Sequence, residues 1–452
     1  MHIIIAGDGM VGSTLTRLLC AENHDVTLID CDNRVLEDSL GTYDVMAVQG
    51  NCASMEVLLQ AGIKDADLLI AVTSADEVNL LCCTIAHGLN HELHTIARIR
   101  NPEYTEQAFK LRDIFGLSLV INPDLQAATE IEHLIKFPGF LKRDSFANGR
   151  TEIVELRVDS ASKLRDVALL DMYNIVKCKV LVCAVIRDGA AITPRGDFVL
   201  REGDRIFVTA PTENLATLLK NLGIVTRRVR RAILCGGGRI AYYLADLLDK
   251  HGVAVQLIEQ DDKLCQSLAS QLPGITVIHG DAADQDLLAS EGIREADALV
   301  SLTGLDELNM IVSLYAQSCG VPQVITKLRR ADNRTLIDAL KLGSVISPKE
   351  LCSNTIARYV RAMGNQVGAA VSVHSIADGQ VEAIEFLVDS STEHCNTPLK
   401  DIKLKPGVLL VSITHGSKTE IPNGMSTFRR YDTIVVVTSG RGKLSQLNDI
   451  FA

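Results

Sequence analysis

Residues 2–12 read HIIIAGDGMVG and residues 231–241 read RAILCGGGRIA. Each stretch is a short apolar run that leads through a glycine turn into an amphipathic segment. In the first stretch the motif Gly7-x-Gly9-x-x-Gly12 stands between a strand and a helix. In this context the first glycine permits a tight turn, and the second lets the backbone approach a pyrophosphate. The third glycine allows the helix to pack closely on the strand. The pattern therefore predicts a phosphate-binding strand–turn–helix unit, and the chain contains it twice.

The similarity between the two stretches continues along the chain. Gly7 matches Gly236, an offset of 229 (236 − 7), and VTLID, ending at Asp30, matches VQLIE, ending at Glu259. Further pairs are IKDADLLIAVTSADEVNL with IREADALVSLTGLDELNM, and ARIRN with TKLRR. Downstream, LREGDRIFV at 200–208 matches FRRYDTIVV at 428–436. A period this long indicates a duplicated two-domain module rather than a solenoid repeat.

Within each module the first part alternates short β-rich runs with helical stretches. In the first module these runs are 3–6, 26–29, 45–48, 68–72 and 119–121. Such alternation indicates a parallel sheet covered on both faces. The second part is smaller, with strand-like segments at 152–158, 179–186 and 205–210. We therefore predict an α/β protein of two tandem modules, each a doubly wound parallel Rossmann-type domain followed by a small α/β C-terminal domain.

The predicted boundaries are 1–123 and 232–348 for the Rossmann-type domains, and 140–225 and 368–452 for the small domains. The basic stretch RRVRR at 227–231 joins the modules, and we interpret it as a solvated linker.

Composition excludes several classes of function. The 452 residues carry a net charge of −11, contain no Trp and are only 4% aromatic, which argues against a nucleic-acid surface. An acidic chain is also repelled by anionic lipid, so any membrane association should run through a protein partner. No signal peptide and no apolar stretch of membrane-spanning length is evident. The twelve Cys contain no C-x-x-C pair, so we expect reduced thiols and no metal site.

The expected ligand site of the first module lies at the carboxyl edge of its sheet. Asp30 ends the second strand, where a carboxylate can bind ribose hydroxyls and repel a 2′-phosphate, which favours NAD or an adenine nucleotide over NADP. Ser74-x-x-Glu77 also fits a helix capping box, and Asn51 could bind a nucleotide or cap the next helix. Arg98 and its counterpart Lys327 could each meet a phosphate or the adenine face, or remain a surface cation. The candidate residues are Gly7, Asp8, Gly9, Met10, Val11, Gly12, Asp30, Asn51, Thr73, Ser74 and Arg98.

The second module supplies a corresponding set with several departures. Ala241 replaces the third glycine and Gly304 replaces Ser74, so the affinity or the ligand of this site can differ. Arg239 could add charge near the phosphates or point into solvent. The candidate residues are Gly236, Gly237, Gly238, Arg239, Ile240, Glu259, Asp281, Thr303 and Lys327.

The sequence offers no catalytic residues. A hydride-transfer enzyme needs a general acid or base beside the nicotinamide, usually within a sizeable substrate domain. The small domains span only about 80 residues each. The sequence contains no nucleophile elbow and no Walker motif, and no Lys–Asp or His–Asp pair is repeated in both modules. The duplicated residues are those suited to binding a ligand, so we do not expect an enzyme.

GDGMVG, Asp30, the GN/GD turn, VTSADEVN and PRGDFVLREGDRIFV together resemble the regulator-of-potassium-conductance (RCK) family. The resemblance covers essentially the whole chain. It implies binding of NAD or NADH, with ATP or ADP as competing ligands in some members. It also implies a homo-oligomeric ring, a tetramer, on the cytoplasmic face of the inner membrane. There the ring would gate a membrane-embedded potassium transporter subunit of the Trk type, and no nucleic acid is involved.

Two alternatives stay open on the sequence. One is an NAD-dependent oxidoreductase with a degenerate second half, which would turn over NADH. The other is a structural assembly subunit with vestigial clefts, whose melting temperature would not respond to nucleotides.

Overall fold

The computed structural model describes residues 1–136, 140–147, 149–224, 229–329, 340, 342–363, 370–439, 444 and 446–452. Its first sheet is fully parallel, with the order β3-β2-β1-β4-β5-β6. The strands are β1 His2–Ala6, β2 Asp25–Asp30, β3 Met46–Gln49, β4 Leu68–Ala71, β5 His94–Arg98 and β6 Leu119–Ile121. The helices are α1 Met10–Ala21, α2 Asn33–Leu40, α3 Met55–Gln60, α4 Asp76–Leu89, α5 Pro102–Lys110 and α6 Pro123–Lys136.

A parallel sheet that is covered on both faces requires apolar residues at consecutive strand positions. In β1, Ile3, Ile4 and Ile5 are all fully buried. Ile4 belongs to the apolar cluster on one face of the sheet, whereas Ile3 and Ile5 belong to the cluster on the other. The carboxyl ends of the strands therefore form one edge, and the glycine turn follows the central strand at that edge.

The second sheet has the same form, with the order β14-β13-β12-β15-β16-β17. Its strands are β12 Arg231–Cys235, β13 Ala254–Glu259, β14 Thr276–His279, β15 Ala298–Ser301, β16 Gln323–Lys327 and β17 Ser344–Ile346. Its helices are α9 Arg239–Lys250, α10 Asp262–Gln271, α11 Gln285–Ser290, α12 Asp306–Ser318 and, after it, α13 Pro348–Met363.

Each parallel sheet is followed by a small antiparallel sheet. The first has the order β10-β9-β11-β8-β7, and the second has the matching order β21-β20-β22-β19-β18 when read in the same direction. The strands of the first antiparallel sheet are β7 Lys142–Phe146, β8 Thr151–Arg157, β9 Leu181–Arg187, β10 Ala190–Ile192 and β11 Arg205–Pro211. The same part of the chain contains the helices α7 Met172–Val176 and α8 Leu215–Leu222. The second contains β18 Ala370–Ile376, β19 Val381–Leu387, β20 Val408–His415, β21 Lys418–Glu420 and β22 Thr433–Thr438.

These four sheets confirm the predicted fold class and the duplication. The three predicted strands at 152–158, 179–186 and 205–210 correspond to β8, β9 and β11. Two strands, β7 and β10, were not predicted. The predicted linker at 227–231 lies partly outside the described residues. In its described part, the N–H groups of Arg230 and Arg231 donate to Asp297 Oδ2 at 2.7 and 3.0 Å.

The two modules exchange helices. α6 follows the first parallel sheet but packs on α9 of the second module, whereas α13 follows the second sheet and packs on α1 of the first. Tyr359 of α13 shares a 3.0 Å hydrogen bond with His94, and Gln323 donates to Leu134 O at 2.5 Å. Each glycine-turn helix is therefore buried by a helix from the other module. Within the described residues, no helix combines the length and apolar character needed to span a bilayer.

Candidate nucleotide-binding site

The first glycine turn is built by three glycines with different roles. Gly7 has a φ of 100°, and a Cβ there would lie 2.9 Å from the Thr73 backbone. A Cβ on Gly12 would lie 1.9 Å from Gly7 O, so this position holds α1 close to β1. A Cβ on Gly9 would meet nothing within 4 Å. Open space therefore remains in front of the α1 N-terminus, where unpaired N–H groups and the helix dipole attract phosphate.

Asp30 closes the turn from the neighbouring strand. Its Oδ2 accepts a 2.8 Å hydrogen bond from Asp8 N–H, and its Oδ1 accepts one of 2.9 Å from Asp32 N–H. The carboxylate is thus fixed at the end of β2, beside the cleft. This is the place where a carboxylate recognises the ribose hydroxyls of a bound nucleotide.

The opposite wall is the loop that follows β4, and buried Asn79 shapes it. Asn79 Oδ1 accepts hydrogen bonds from Thr73 N–H at 2.9 Å and from the Thr73 hydroxyl at 2.7 Å. Its Nδ2 donates to Thr73 O at 3.3 Å and to Arg98 O at 2.8 Å. One amide side chain therefore ties the ends of two neighbouring strands together beside the glycine turn.

Two arginines supply the positive charge of this wall. Arg98 donates to Thr73 O and Arg100 donates to Ser74 O, each at 2.6 Å. The Nε atoms of both side chains are buried and have no hydrogen-bond partner within the described residues. Burial and the neighbouring Arg100 lower the pKa of Arg98, so an anion in the cleft would stabilise the Arg98 cation. A bound phosphate supplies such an anion.

Together these walls enclose a pocket of about 650 Å³. It brings together nine of the eleven residues predicted for the first site, which are Gly7, Gly9, Met10, Val11, Asp30, Asn51, Thr73, Ser74 and Arg98. A volume of this size falls within the usual range for cofactor clefts.

The other two predicted residues do not line this pocket. Gly12 contacts the turn behind the helix. Asp8 points inwards, where it is 1% exposed and accepts a 2.6 Å hydrogen bond from the Ser39 hydroxyl. Burial raises the pKa of the Asp8 carboxyl. Its side chain therefore stabilises the packing of the turn on α2, and only its backbone faces Asp30.

Two local interpretations are corrected by the structure. The capping box at Ser74 is wrong, because α4 begins at Asp76, its N-cap is Ala75 and no side chain caps it. Asp76 instead accepts hydrogen bonds from the N–H groups of Arg100 and Asn101 at 2.8 and 2.7 Å. Asn51 does not cap α3; its Oδ1 accepts from Ala53 N–H at 3.0 Å, while the residue lines the pocket.

The second module reproduces the same framework. Gly236 has a φ of 106°, and the position of a Gly238 Cβ is open to 4 Å. Asn309 Oδ1 accepts hydrogen bonds from Thr303 N–H and the Thr303 hydroxyl, each at 2.8 Å. Glu259 replaces Asp30 and accepts from Gly237 N–H at 2.6 Å, and from Gln260 and Asp261 N–H at 2.8 and 2.9 Å. Its carboxylate is therefore satisfied by three backbone groups.

The remaining residues predicted for the second site lie around this turn. Lys327 donates to Leu302 O at 2.9 Å, and burial lowers its pKa. Asp281 Oδ1 accepts from Ala283 N–H at 2.8 Å. Arg239 is exposed at the start of α9, and Ile240 is buried behind it. The framework of a nucleotide cleft is present, but its side chains differ from those of the first.

Sequence reasoning missed Arg100, Asn79 and Cys52. Arg100 and Cys52 line the first pocket, and Asn79 orders its wall. The repeat contained a signal for two of them, because Arg100 matches Arg329 and Asn79 matches Asn309 in the paired segments.

No cluster of three or more His, Cys, Asp or Glu suited to a metal ion occurs among the described residues.

Two parallel nucleotide-binding folds, each followed by a small antiparallel sheet, define the tandem RCK class of proteins. A GsuK RCK domain shares this fold, with a TM-score of 0.62 and 17% identity, covering 96% of this chain and 92% of that one. The GsuK channel bound to NAD gives a TM-score of 0.60 at 17% identity, covering 97% of this chain and 76% of that one.

The TrkA-N domain model matches residues 3–123 and 232–348, and the TrkA-C domain model matches 153–223. The chain is 32% identical to the Trk system potassium uptake protein TrkA homolog of Archaeoglobus fulgidus, covering 100% of both chains. It is 30% identical to Trk system potassium uptake protein TrkA of Haemophilus influenzae, covering 100% of this chain and 98% of that one. The chain therefore belongs to the TrkA family. These relatives carry names of transport proteins rather than of enzymes, in agreement with the prediction.

Proposed function

We propose that this chain is the nucleotide-binding regulatory subunit of a potassium-uptake system. It would bind NAD(H), or ATP and ADP in competition, and gate a Trk-type membrane transporter subunit from the cytoplasmic face of the inner membrane. The observation that carries the proposal is the convergence of the glycine turn, Asp30, Arg98 and Arg100 on one pocket of about 650 Å³. The family relatives, named as potassium-uptake proteins, support the physiological role.

The chemistry of the pocket favours a dinucleotide or an adenine nucleotide. The open α1 N-terminus and the two arginines suit phosphates, while Asp30 suits ribose hydroxyls and repels a 2′-phosphate. GsuK has been solved bound to NAD and bound to ADP, which supports both ligand classes. We therefore propose NAD or NADH as ligand, with ATP or ADP as competitors.

Exposed apolar side chains support assembly into a homo-oligomeric ring, which we propose is a tetramer. Leu81 of α4 and Ile311 of α12 occupy equivalent positions in the repeat and are 51% and 59% exposed. Ile114 is 72% exposed near α5. Apolar residues repeated on the surface of both modules are typical of faces that are covered in an assembly.

We propose the same domain boundaries as the sequence predicts. The Rossmann-type domains span 1–123 and 232–348, and the small domains span 140–225 and 368–452.

Gating requires a ligand that favours one state of the assembly. A nucleotide that binds one ring conformation more tightly by about 1–3 kcal/mol shifts the equilibrium of the transporter, whereas equal affinity for both states shifts nothing. Because each glycine-turn helix is packed by a helix from the other module, ligand-induced movement of α1 should be transmitted to α13.

The test uses a matched pair of variants, Gly9→Asp and Gly238→Asp. Both positions have open space at Cβ, so neither variant should lose its fold. Each places a carboxylate where phosphate would bind. At about 100 times Kd, NAD(H) or ADP should stabilise the wild type by roughly 2.7 kcal/mol. We expect Gly9→Asp to abolish the melting-temperature shift at the first site, and unchanged affinity in this variant would exclude the cleft.

Gly238→Asp reports on the second cleft in the same experiment. A partial loss of bound nucleotide would indicate two functional sites, and no loss would restrict binding to the first.

NADP should raise the melting temperature of the wild type less than NAD does, and Asp30→Ala should weaken the response to NAD. Transport measured with the transporter reconstituted in vesicles then tests gating, because Gly9→Asp should remove its nucleotide dependence. Turnover of NADH would instead favour the oxidoreductase alternative.

A further inference from the structure

A tyrosine of the second module reaches the wall of the first pocket. Tyr243 lies in α9, four residues after Arg239, and is therefore about one helical turn from the second glycine turn. It is 9% exposed, and its ring belongs to an apolar cluster that also contains Ala127 of α6 and Leu244. Its hydroxyl donates a 3.1 Å hydrogen bond to the backbone carbonyl of Arg100, which lines the first pocket. A helix that begins at the second cleft therefore contacts the wall of the first.

A buried polar cluster fixes the direction of this hydrogen bond. The side-chain amide of Asn122 donates to the Tyr243 hydroxyl at 2.9 Å and to Thr105 Oγ1 at 3.0 Å. The Thr105 hydroxyl donates in turn to Asn101 O at 2.8 Å. The Tyr243 proton is therefore available to Arg100 O. Burial raises the pKa of Tyr243, so the hydroxyl keeps the proton that it donates.

The tyrosine is one of two anchors on the backbone of Arg100. The other is Asp76, whose Oδ2 accepts from Arg100 N–H at 2.8 Å. Between these anchors the Arg100 guanidinium extends to Ser74 O, to which it donates at 2.6 Å beside the pocket. The position of the backbone determines where the guanidinium can reach. Loss of the tyrosine anchor should therefore displace the cation from the wall.

The second module has no matching link among its described residues. In the repeat, Tyr243 matches Thr14 and Asn122 matches Ser347. The Thr14 hydroxyl donates to Met10 O of its own helix at 2.8 Å. Ser347 Oγ is buried and has no hydrogen-bond partner in the described part of the chain. The tyrosine contact is thus a feature of the first cleft rather than a requirement of the fold that both modules share.

We propose that Tyr243 is a positioning residue of the first nucleotide cleft and that the second module supplies it. It acts through its hydroxyl, which holds the Arg100 carbonyl and thereby the place from which the guanidinium meets a phosphate. This role rests on the proposed function, because it requires an anionic ligand in the cleft. The first cleft is then complete only when α9 of the second module is docked beside it.

The test compares Tyr243→Phe with Tyr242→Phe by calorimetry with NAD and ADP. Both changes are made in the full-length protein carrying Gly238→Asp, which should close the second turn so that the titration reports on the first cleft. Tyr243→Phe removes the hydroxyl and keeps the buried ring, whereas Tyr242→Phe makes the same change at the neighbouring residue of α9. We expect Tyr243→Phe to weaken binding about fivefold, as for the loss of one buried hydrogen bond, and Tyr242→Phe to bind as its parent does. Equal affinities of the two variants would overturn the proposal.

A double-mutant cycle separates positioning from a general loss of structure. If Tyr243 acts through the Arg100 side chain, Tyr243→Phe should cause no further loss of affinity once Arg100→Met is present. A destabilised fold would instead weaken binding in both backgrounds. Losses that add would therefore overturn the assignment of Tyr243 as a residue that positions Arg100.

Hydrogen exchange tests the contact without a nucleotide. Peptides spanning 98–105 should exchange faster in Tyr243→Phe than in Tyr242→Phe, because the loop has lost an anchor. Equal exchange would overturn the proposal whatever the calorimetry shows. If the wild type binds neither NAD nor ADP, or if Gly238→Asp alone abolishes binding, the proposed function of the first cleft fails and the role of Tyr243 fails with it. If the parent binds and Tyr243→Phe binds equally well, only the role of Tyr243 fails.

Discussion

In the first module α1 begins so close to β1 that a methyl group on Gly12 would lie 1.9 Å from Gly7 O, whereas the second module has Ala241 at the matching position. The turns themselves are alike, because Gly7 and Gly236 have φ values of 100° and 106°. Their N–H groups donate to Ile29 O and Ile258 O, each at 2.8 Å. Duplication has therefore preserved the backbone of the turn, whereas the third position of the motif carries a methyl group only in the second module.

The charged groups around the turns differ more than the backbone. Asp30 accepts two backbone hydrogen bonds, whereas the longer Glu259 accepts three. Arg98 is matched by Lys327, which lacks the planar fork suited to phosphate. The shared framework positions a ligand, and these side chains determine which ligand is held and how tightly. Substitutions made in both modules can separate the two contributions.

The largest expected difference concerns the third glycine position. In Gly12→Ala the new methyl group must displace α1 from β1, and we expect the free energy of unfolding to fall by about 3 kcal/mol. Ala241→Gly removes a buried methyl group without a clash and should cost about 1 kcal/mol. Urea denaturation of both variants measures the difference. Equal losses would show that the two helices are spaced alike.

The sequence allowed both parallel sheets to be predicted, because consecutive buried strand residues and the internal repeat are local signals. β7 was missed because Lys142–Phe146 reads KRDSF, which has no apolar alternation, and it lies at the edge of its sheet. The exchange of α6 and α13 between modules could not be predicted either. Periodicity shows that a helix has an apolar face, but not which module covers that face.

Spacing alone was enough to predict residues that line the first pocket, as at Gly9, Asp30 and Thr73. The Asp8 side chain does not line this pocket, because the direction of a side chain within a tight turn depends on tertiary packing, here on Ser39 of α2. Arg100 was missed because it follows β5 by two residues, and only the hydrogen-bonded loop brings it back to the cleft.

The helices α6 and α13 differ in a half-buried acid, which should give them different responses to pH. Glu130 lies seven residues after Pro123, and Thr355 lies seven residues after Pro348. Burial and the neighbouring Asp144 raise the pKa of Glu130 to about 7, against the opposing effect of Arg143 and Lys142. Because the folded pKa lies above the ordinary value, the stabilising contribution is complete below about pH 4.5 and is lost as pH rises through 7.

Glu130→Gln should therefore remove this part of the pH dependence. We expect the unfolding free energy of the wild type, relative to the variant, to fall on the order of 2 kcal/mol between about pH 4.5 and pH 8. Denaturation at several pH values measures it, with Thr355→Val as a control that should keep the wild-type slope. Parallel curves for wild type and Glu130→Gln would contradict the assignment.

The smallest expected effect is a change in nucleotide affinity that distinguishes the first cleft from the second. The backbone of Arg100 is fixed from both sides, because its N–H donates to Asp76 Oδ2 at 2.8 Å and its carbonyl accepts from the Tyr243 hydroxyl at 3.1 Å. Arg100→Met should thus leave the backbone of Arg100 in place and remove the cation, together with its hydrogen bond to Ser74 O and its ion pair with Asp76. Loss of one charge-assisted contact to phosphate should weaken nucleotide binding at the first site about tenfold, or roughly 1.4 kcal/mol.

Arg329→Met is the matched change in the second module, where Arg329 N–H donates to Asp306 Oδ1 at 2.9 Å in the same manner. Titration calorimetry on both variants should show weakened binding of the first-site ligand only in Arg100→Met. The same loss in both variants would mean that the clefts act as one site across the exchanged helices. No loss in either would place the phosphates away from this wall, against the α1 N-terminus alone.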